Sequence, residues 1–434
     1  MAEVKENRDI LYRIEDKPEL KKAVPLAFQH IFAMFAANIT VPLMVAALLD
    51  LPGKDKTFLI QCALFMAGVG TLIQIRKGKK IGSGLPIVMG TSNAFLATVL
   101  SIAGTYGIGA VFASSFIGGL FEMLLGKSLH KLKKVFTPLV SGVVVVTLGV
   151  TLIPVAIRQA AGGVSNMGDL KSLGIASVVL LTIVLCHKSK NRFVKSASIL
   201  IGILAGFVLS GILGMLDGSA IRTASWLAVP KPFQYQWKFY PAAIIGMLFM
   251  YVATTIETLG DISAITVAGE DREPSEEEKT GGVLADGFAS SLAAIMNGFP
   301  NTSYTQNIGV VNLTGVFSRH VVRIGAYMLL ILAFFPKFAA VLSMIPIPVL
   351  GGASIAMFSM VAVSGFSLLG KIPFTSRNSL IIALSLGLGI GLSLVPEALG
   401  DLHQDIQLIL TSGVVPSALT AISLDLFLPA EEEK

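Results

Sequence analysis

Charged side chains are scarce in this sequence. Lys, Arg, Asp and Glu make up 14% of its 434 residues, against about a quarter in an ordinary soluble domain, and this deficit excludes a soluble enzyme. Cysteine is nearly absent. Cys62 and Cys186 lie far apart, each within an apolar run, so neither a disulfide framework nor a cysteine-based metal site follows. No P-loop, zinc-binding or catalytic-triad pattern occurs, which argues against an ATP-driven pump and a membrane hydrolase, and no metal or cofactor is implied. Residues 1–22 are polar and lack the apolar core of a signal peptide. Insertion is therefore expected to rely on the first span, with the N-terminus in the cytoplasm.

Apolar residues are what the sequence has in excess. At 53% of the chain they number about 230, and a membrane-spanning helix uses roughly 20, enough for a dozen or more spans. The net charge of +6 invites a nucleic-acid or acidic-lipid reading. The basic residues, however, sit in short clusters between apolar runs, read as topology signals, and imply no nucleic-acid partner. Fourteen spans are expected, near 24–49, 58–75, 84–103, 108–126, 137–158, 173–187, 197–216, 239–260, 282–298, 300–317, 320–336, 346–369, 379–395 and 405–429.

With a cytoplasmic N-terminus, this count puts most of the 33 Lys and Arg residues on the cytoplasmic side. They include the tail, Arg76, Lys77, Lys79 and Lys80, then Lys127, Lys131, Lys133 and Lys134, then Lys188, Lys190, Arg192 and Lys195, and later Arg272, Arg319, Arg323 and Arg377. Lys54, Lys56, Arg158, Lys171, Arg222, Lys231, Lys238 and Lys337 remain outside. Losing one central span would invert every later loop and destroy this bias.

The third and tenth spans do not suit lipid contact. The third begins Gly84-Leu85-Pro86 and is interrupted at Gly90-Thr91-Ser92-Asn93. The tenth begins Phe299-Pro300 and carries Asn301, Thr302, Ser303, Thr305, Gln306 and Asn307. Irregular backbone at membrane depth is tolerated only where protein buries it or it lines a cavity. Each segment is either a surface loop before a short core helix or one of a matched pair of broken spans in inverted seven-span repeats, the arrangement that marks a transporter's substrate site.

Five ionisable residues fall within spans: His30, Glu122, Glu257, Asp261 and Asp286. Charge at mid-bilayer costs at least about 2.5–3.5 kcal/mol, which makes such residues functional candidates. Glu122 precedes the basic cluster at Lys127 by about one turn and reads as a structural ion pair. Glu257 and Asp261, at i and i+4, share one helical face. Repelling there, they must take up a proton or recruit donors from elsewhere, as a proton-coupled carrier requires. His30, between apolar flanks, reads on residue type alone as a packing histidine. Asp286, near the start of the ninth span, is placed for stabilisation by a helix N-terminus.

Gln306-Asn307 is the most informative dipeptide. A side-chain amide sets a donor beside an acceptor, matching a planar heterocycle with C=O beside N–H. A carboxylate such as Glu257 accepts from two N–H groups, and the free N–H groups opening a helix after residue 305 add donors. The Gly387-Leu-Gly389-Ile-Gly391 stretch suggests close helix packing, and Glu276-Glu277-Glu278 suggests a solvated cytoplasmic loop.

The run Gln306-Asn307-Ile308-Gly309-Val310-Val311-Asn312-Leu313-Thr314-Gly315 resembles the signature of the nucleobase–ascorbate transporters, in particular their xanthine and urate permeases. Gln29-His30, Gly90-Thr91-Ser92, Glu257-Thr258-Leu259-Gly260-Asp261 and Asp286-Gly287 extend the resemblance over essentially the whole chain. It implies an all-α membrane protein of fourteen spans in two inverted seven-span repeats, with short paired β-strands in spans 3 and 10. A core domain would comprise 23–126 and 239–336, a gate domain 137–216 and 346–429, and cytoplasmic tails 1–22 and 430–434. The resemblance further implies a homodimer, surrounded by lipid in the inner (plasma) membrane.

Carried over by position, Glu257 and Gln306 would bind a purine base directly. Groups at Asn93 and across Ser303, Tyr304 and Thr305 would add contacts, and Asn307 would shape the site. His30, Ser92, Asp261 and Asp286 would support binding and coupling to the proton gradient. Gln306 stands where uracil carriers tend to have Glu and ascorbate carriers Pro, which favours an oxidised purine, whereas Asn93 stands where many members carry an aromatic residue. Besides proton-driven purine uptake, possibilities left open are carriage of guanine, hypoxanthine or uracil, and anion transport of the related sulfate and bicarbonate type. The fixed carboxylate of Glu257 argues against the last.

Overall fold

The computed structural model describes residues 10–77, 80–129, 137–163, 166–191, 194–195 and 197–429. Residues 1–9 and 430–434 of the tails lie outside the described residues, as do the topology signals Lys79, Lys131, Lys133, Lys134 and Arg192.

Among the described residues, eight helices are long and apolar enough to cross a membrane, or ten if each of two bent pairs is one span. The first half contains α1 (Leu20–Leu48), α2 (Gly53–Gln74), α3 (Leu96–Tyr106), α4 (Ile108–Lys127), α5 (Pro138–Ala160), α6 (Leu170–His187) and α7 (Ser198–Ile212). The second half contains α8 (Pro241–Glu270), α9 (Glu276–Ile295), α10 (Thr305–Thr314), α11 (Arg319–Ala333), α12 (Pro336–Ser343), α13 (Ile347–Leu369), α14 (Ser376–Leu394), α15 (Gln404–Leu410) and α16 (Val414–Phe427). The bent pairs are α11 with α12, at 85°, and α15 with α16, at 70°. The first bend falls just before Pro336, and the second at Gly413, whose φ of 73° suits glycine.

Four of the fourteen expected spans fall on helices that are too short or too polar to count by length and composition. They are α3, α7, α9 and α10. The third and tenth expected spans break as their sequences suggest. Strand β1 (Met89–Thr91) precedes α3, and β2 (Asn301–Ser303) precedes α10. The strands pair antiparallel, with Met89 opposite Ser303, Gly90 opposite Thr302 and Thr91 opposite Asn301. Pairing satisfies backbone groups that neither helix reaches, which is how extended chain persists inside a protein of this class.

Small residues govern the helix contacts. Helix α5 lies against α13, where a Cβ on Gly149 would strike the backbone of Ala362 and one on Gly365 would strike Val146. Helices α4 and α9 meet at Gly119 and Gly287, each against the other's backbone. Close approach of this kind replaces the hydrophobic drive that lipid cannot supply. It also lets α9 run inside the protein, with Asp286, Ser290 and Ser291 buried.

Four local expectations change. The eighth span extends to Glu270, so Glu257 and Asp261 sit within a helix rather than near its end. The ninth begins at Glu276, nearly three turns before Asp286, which removes the helix N-terminus as that residue's support. Glu276–Glu278 form the first turn of α9 rather than a loop. There Ser275 and Glu278 make a capping box and Arg272 holds Glu278 at 2.6 Å. That guanidinium, first through its hydrogen bond, keeps the Glu278 carboxyl below the usual range. Of the three glycines at 387, 389 and 391, only Gly389 packs closely, against Ser417 and Gly413, while the other two face open space. Residues 11–19 of the expected tail dock on the protein, for Phe317 N–H donates to the Tyr12 carbonyl and Arg319 N–H to that of Ile14.

Candidate functional site

The paired strands set two short helices running away from one place. After Thr91 the chain turns through Ser92 into a 3-10 turn (Asn93–Phe95) and α3, and after Ser303 it turns through Tyr304 into α10. The first N–H groups of α10 receive no side-chain cap, and unpaired donors at a helix start attract carbonyl oxygens and negative charge. Gly90 is required here. A Cβ would lie 2.6–2.7 Å from Met34, Asn38 and Tyr304, all of which are packed against β1.

Helix α8 packs against α10 and supplies the acids. Asp261 accepts from the Ser303 hydroxyl at 2.7 Å and the Thr305 hydroxyl at 2.8 Å. It thereby ties α8 to the junction between β2 and α10. Asp286, fully buried on α9, accepts from the Thr258 hydroxyl, so the second acid is anchored to the same helix. Glu257 stands one turn, about 5.4 Å, before Asp261, and Gln306 follows Thr305 directly. Both are half-buried, and among the described residues neither has a side-chain hydrogen-bond partner. Burying such groups without partners is costly, so among the described residues this carboxylate and this amide are the members of the cluster whose hydrogen-bonding capacity is unused.

His30 and Asn307, read separately from sequence, are joined. Asn307 Nδ2 donates to the Pro86 carbonyl at 2.8 Å, which leaves its Oδ1 facing His30 Nδ1. Because the amide oxygen only accepts, that ring nitrogen carries the hydrogen, and Nε2 is left as a buried acceptor with no partner among the described residues. Ser92 Oγ and Asn93 Oδ1 are likewise buried and unpaired among the described residues. Tyr304 is more committed. Its hydroxyl donates to the Thr91 carbonyl at 2.5 Å and its N–H to that of Val88 at 3.0 Å, crossing the strand pair from both sides.

Several supporting residues went unread in the sequence. Asn38 accepts from the Thr91 N–H at 2.8 Å, Ser290 bonds both the N–H and the carbonyl of Asn301 at 3.0 Å, and Thr258 holds Asp286. An amide within the apolar stretch Ile31–Ala46 was a usable signal for Asn38. Thr and Ser are too common inside helices to stand out, because their hydroxyls bond back to the preceding turn, as Thr40 does to Ala36. Among the described residues Glu122 has no ion pair with Lys127, and Lys131, Lys133 and Lys134 lie outside them. Glu122 is buried and accepts from the Thr255 hydroxyl of α8 at 3.3 Å.

Comparison with known proteins follows from this geometry. Residues 21–398 match the xanthine/uracil permease family. The xanthine permease XanP of Escherichia coli (strain K12) is 36% identical over 99% of this chain and 96% of its own. The uric acid permease PucK of Bacillus subtilis (strain 168) is 35% identical over 94% and 95%. Two solved structures share the fold at low identity. One is the transmembrane domain of a cyanobacterial bicarbonate transporter, BicA (TM-score 0.60, 15% identity, 94% of this chain and 100% of that one). The other is the murine anion transporter Slc26a9 in its inward-facing state (TM-score 0.62, 12% identity, 96% and 69%).

Proposed function

Because the chain belongs to the xanthine/uracil permease family, which consists of carriers and not enzymes, we propose that it takes up an oxidised purine base, xanthine or urate, by proton symport. One observation carries this reading: Glu257 and Gln306, on helices that pack together, are half-buried and unengaged within the cluster. The Glu257 carboxylate accepts from two purine N–H groups, while the Gln306 amide meets a C=O and N–H pair. The open N–H groups at the start of α10 receive a further carbonyl oxygen. Relatives whose names specify xanthine and uric acid, similar over nearly full length, support an oxidised purine over guanine, hypoxanthine or uracil.

Asp261 and Asp286 couple transport to protons, and His30 with Asn307 sets the shape of the site beside β1. In this reading all fourteen segments cross the inner (plasma) membrane as two inverted repeats, with both termini cytoplasmic. Segments 1–4 and 8–11 form a core that moves as an elevator against a gate of segments 5–7 and 12–14, in a homodimer. Close packing of α5 on α13 supports the gate grouping, and packing of α4 on α9 the core.

Competition decides the substrate. Unlabelled xanthine and urate are expected to suppress uptake of labelled xanthine into cells or proteoliposomes far more than uracil or sulfate do. Suppression by sulfate alone would replace this reading with the anion-transport one.

A further inference from the structure

A cavity of about 650 Å³ opens at one end of α2 and α11, lined by none of the residues of the strand pair. Lys17, Arg76, Lys77, Arg319 and Arg323 line it, with Glu15 as the single carboxylate. Glu15 holds Lys77 at 3.0 Å and also pairs with Arg319. The hydrogen bond from Lys77 is the main cause that keeps its carboxyl below the usual range. Lys17, Arg76 and Arg323 have no ion-pair partner among the described residues, and all three are exposed. Positive charge also gathers at the wrong end of a helix. Arg319 and His320 occupy the first turn of α11 and Arg323 the next, where the macrodipole favours acids.

The site is built rather than incidental. Segment 11–19 is held to residues 315–319 by the backbone bonds from Phe317 and Arg319 and by the Ser318 hydroxyl donating to the Asp16 carbonyl at 2.6 Å. This docking brings Lys17 to the arginines of α11. Beyond the charges the same face of α11 changes character at helical spacing. Arg319 and Arg323 are followed by Tyr327, 50% exposed, and Ile331, 57% exposed. A stripe that passes from guanidinium to phenol to aliphatic side chain matches a molecule with a phosphate at one end and hydrocarbon at the other. A free phosphate would use only the first part of it.

We infer that this cavity binds the phosphate headgroup of an anionic phospholipid, with the acyl chains lying along Tyr327 and Ile331. Arg76 and Arg323 supply bidentate donors to the phosphate oxygens, and Lys17 adds a point charge. Basic pockets between membrane helices hold acidic headgroups for the same reasons. The site is separate from the purine cluster, and its test does not depend on transport.

The test measures the unfolding midpoint of the full-length protein in detergent after adding phosphatidylglycerol, phosphatidylcholine, inorganic phosphate or glycerol 3-phosphate. Phosphatidylglycerol is expected to raise the midpoint above that in phosphatidylcholine, with the two soluble phosphates giving little of that rise. Arg76→Gln/Arg323→Gln, and each single variant, should lose most of the rise, while Lys190→Gln, at an exposed lysine elsewhere, keeps it. An equal response to both lipids, or an undiminished rise in the arginine variants, overturns the proposal. Protection by glycerol 3-phosphate as strong as that by lipid overturns the lipid assignment and makes a soluble phosphoester the ligand.

Discussion

At the residue scale, the cluster divides its polar groups into those already bonded and those left open. Asp261, Asp286, Asn307 and Tyr304 are engaged within the protein, whereas Glu257 and Gln306 have no side-chain hydrogen-bond partner among the described residues. Glu257→Gln should therefore insert and fold but lose uptake, because an amide offers a donor where the base already presents one. A buried mismatch of this kind costs about 1–3 kcal/mol, at least several-fold in affinity. Near-normal uptake by a variant that reaches the membrane would show that Glu257 does not face the base. Gln306→Glu removes the amide donor and sets a further carboxylate directly after Thr305, which Asp261 holds. Xanthine uptake should fall relative to uracil, and unchanged competition curves would place Gln306 outside the site. As candidates both stood out in the sequence, Glu257 because a carboxylate in an apolar run is costly and Gln306 because it belongs to a polar stretch that does not suit lipid contact. The hydroxyls of Thr258 and Ser290 did not, since a Thr or Ser in an apolar run has a local backbone acceptor and signals nothing until its neighbours are known.

At the element scale, the decisive unit is the strand pair, and its requirement for a small residue is local and severe. A methyl group at Gly90 would meet three side chains at 2.6–2.7 Å. Met34 has a flexible end, but Asn38 and Tyr304 are both hydrogen-bonded to Thr91 and move only by breaking those bonds. Gly90→Ala should cost about 1–3 kcal/mol through overpacking, seen as a lowered unfolding midpoint together with weakened xanthine binding. Gly174→Ala, in α6 with open space around it, should leave both unchanged. Equal behaviour of the two variants would mean that β1 is not tightly packed. Breaks at Gly90 and at Pro300 marked these two segments as irregular, and the family resemblance implied that each holds a strand paired with the other. Less legible was α9, since its Ser275-x-x-Glu278 start is a capping signal embedded in an acidic run that also reads as a loop. Its polar inner face becomes intelligible only when Gly119 and Gly287 bring α4 against it.

For the whole molecule, membrane residence followed from composition, but the number of crossings did not follow from helix length. Eight to ten helices satisfy that measure among the described residues. The broken third and tenth segments and the polar ninth are largely buried by their neighbours, and polar or irregular segments of this kind are tolerated at membrane depth only when so buried. The proposed proton coupling belongs to this scale, because it would require the acids to exchange protons with opposite sides of the membrane. Three carboxylates, Glu257, Asp261 and Asp286, lie on α8 and α9 around one strand. Their titration belongs to the group rather than to any one member. If inward proton flow drives uptake, lowering external pH from about 8 to 6 enlarges the driving force. Xanthine accumulation should rise accordingly and collapse with a protonophore. Asp261→Asn keeps an acceptor for the Ser303 or Thr305 hydroxyl and leaves Glu257 and Gln306 in place. It should therefore reduce accumulation against a gradient more than equilibrium binding of xanthine. Uptake that follows a sodium gradient and ignores both external pH and the protonophore would remove proton symport while leaving the proposed purine site untouched, since the base contacts proposed for Glu257 and Gln306 do not depend on which ion drives uptake.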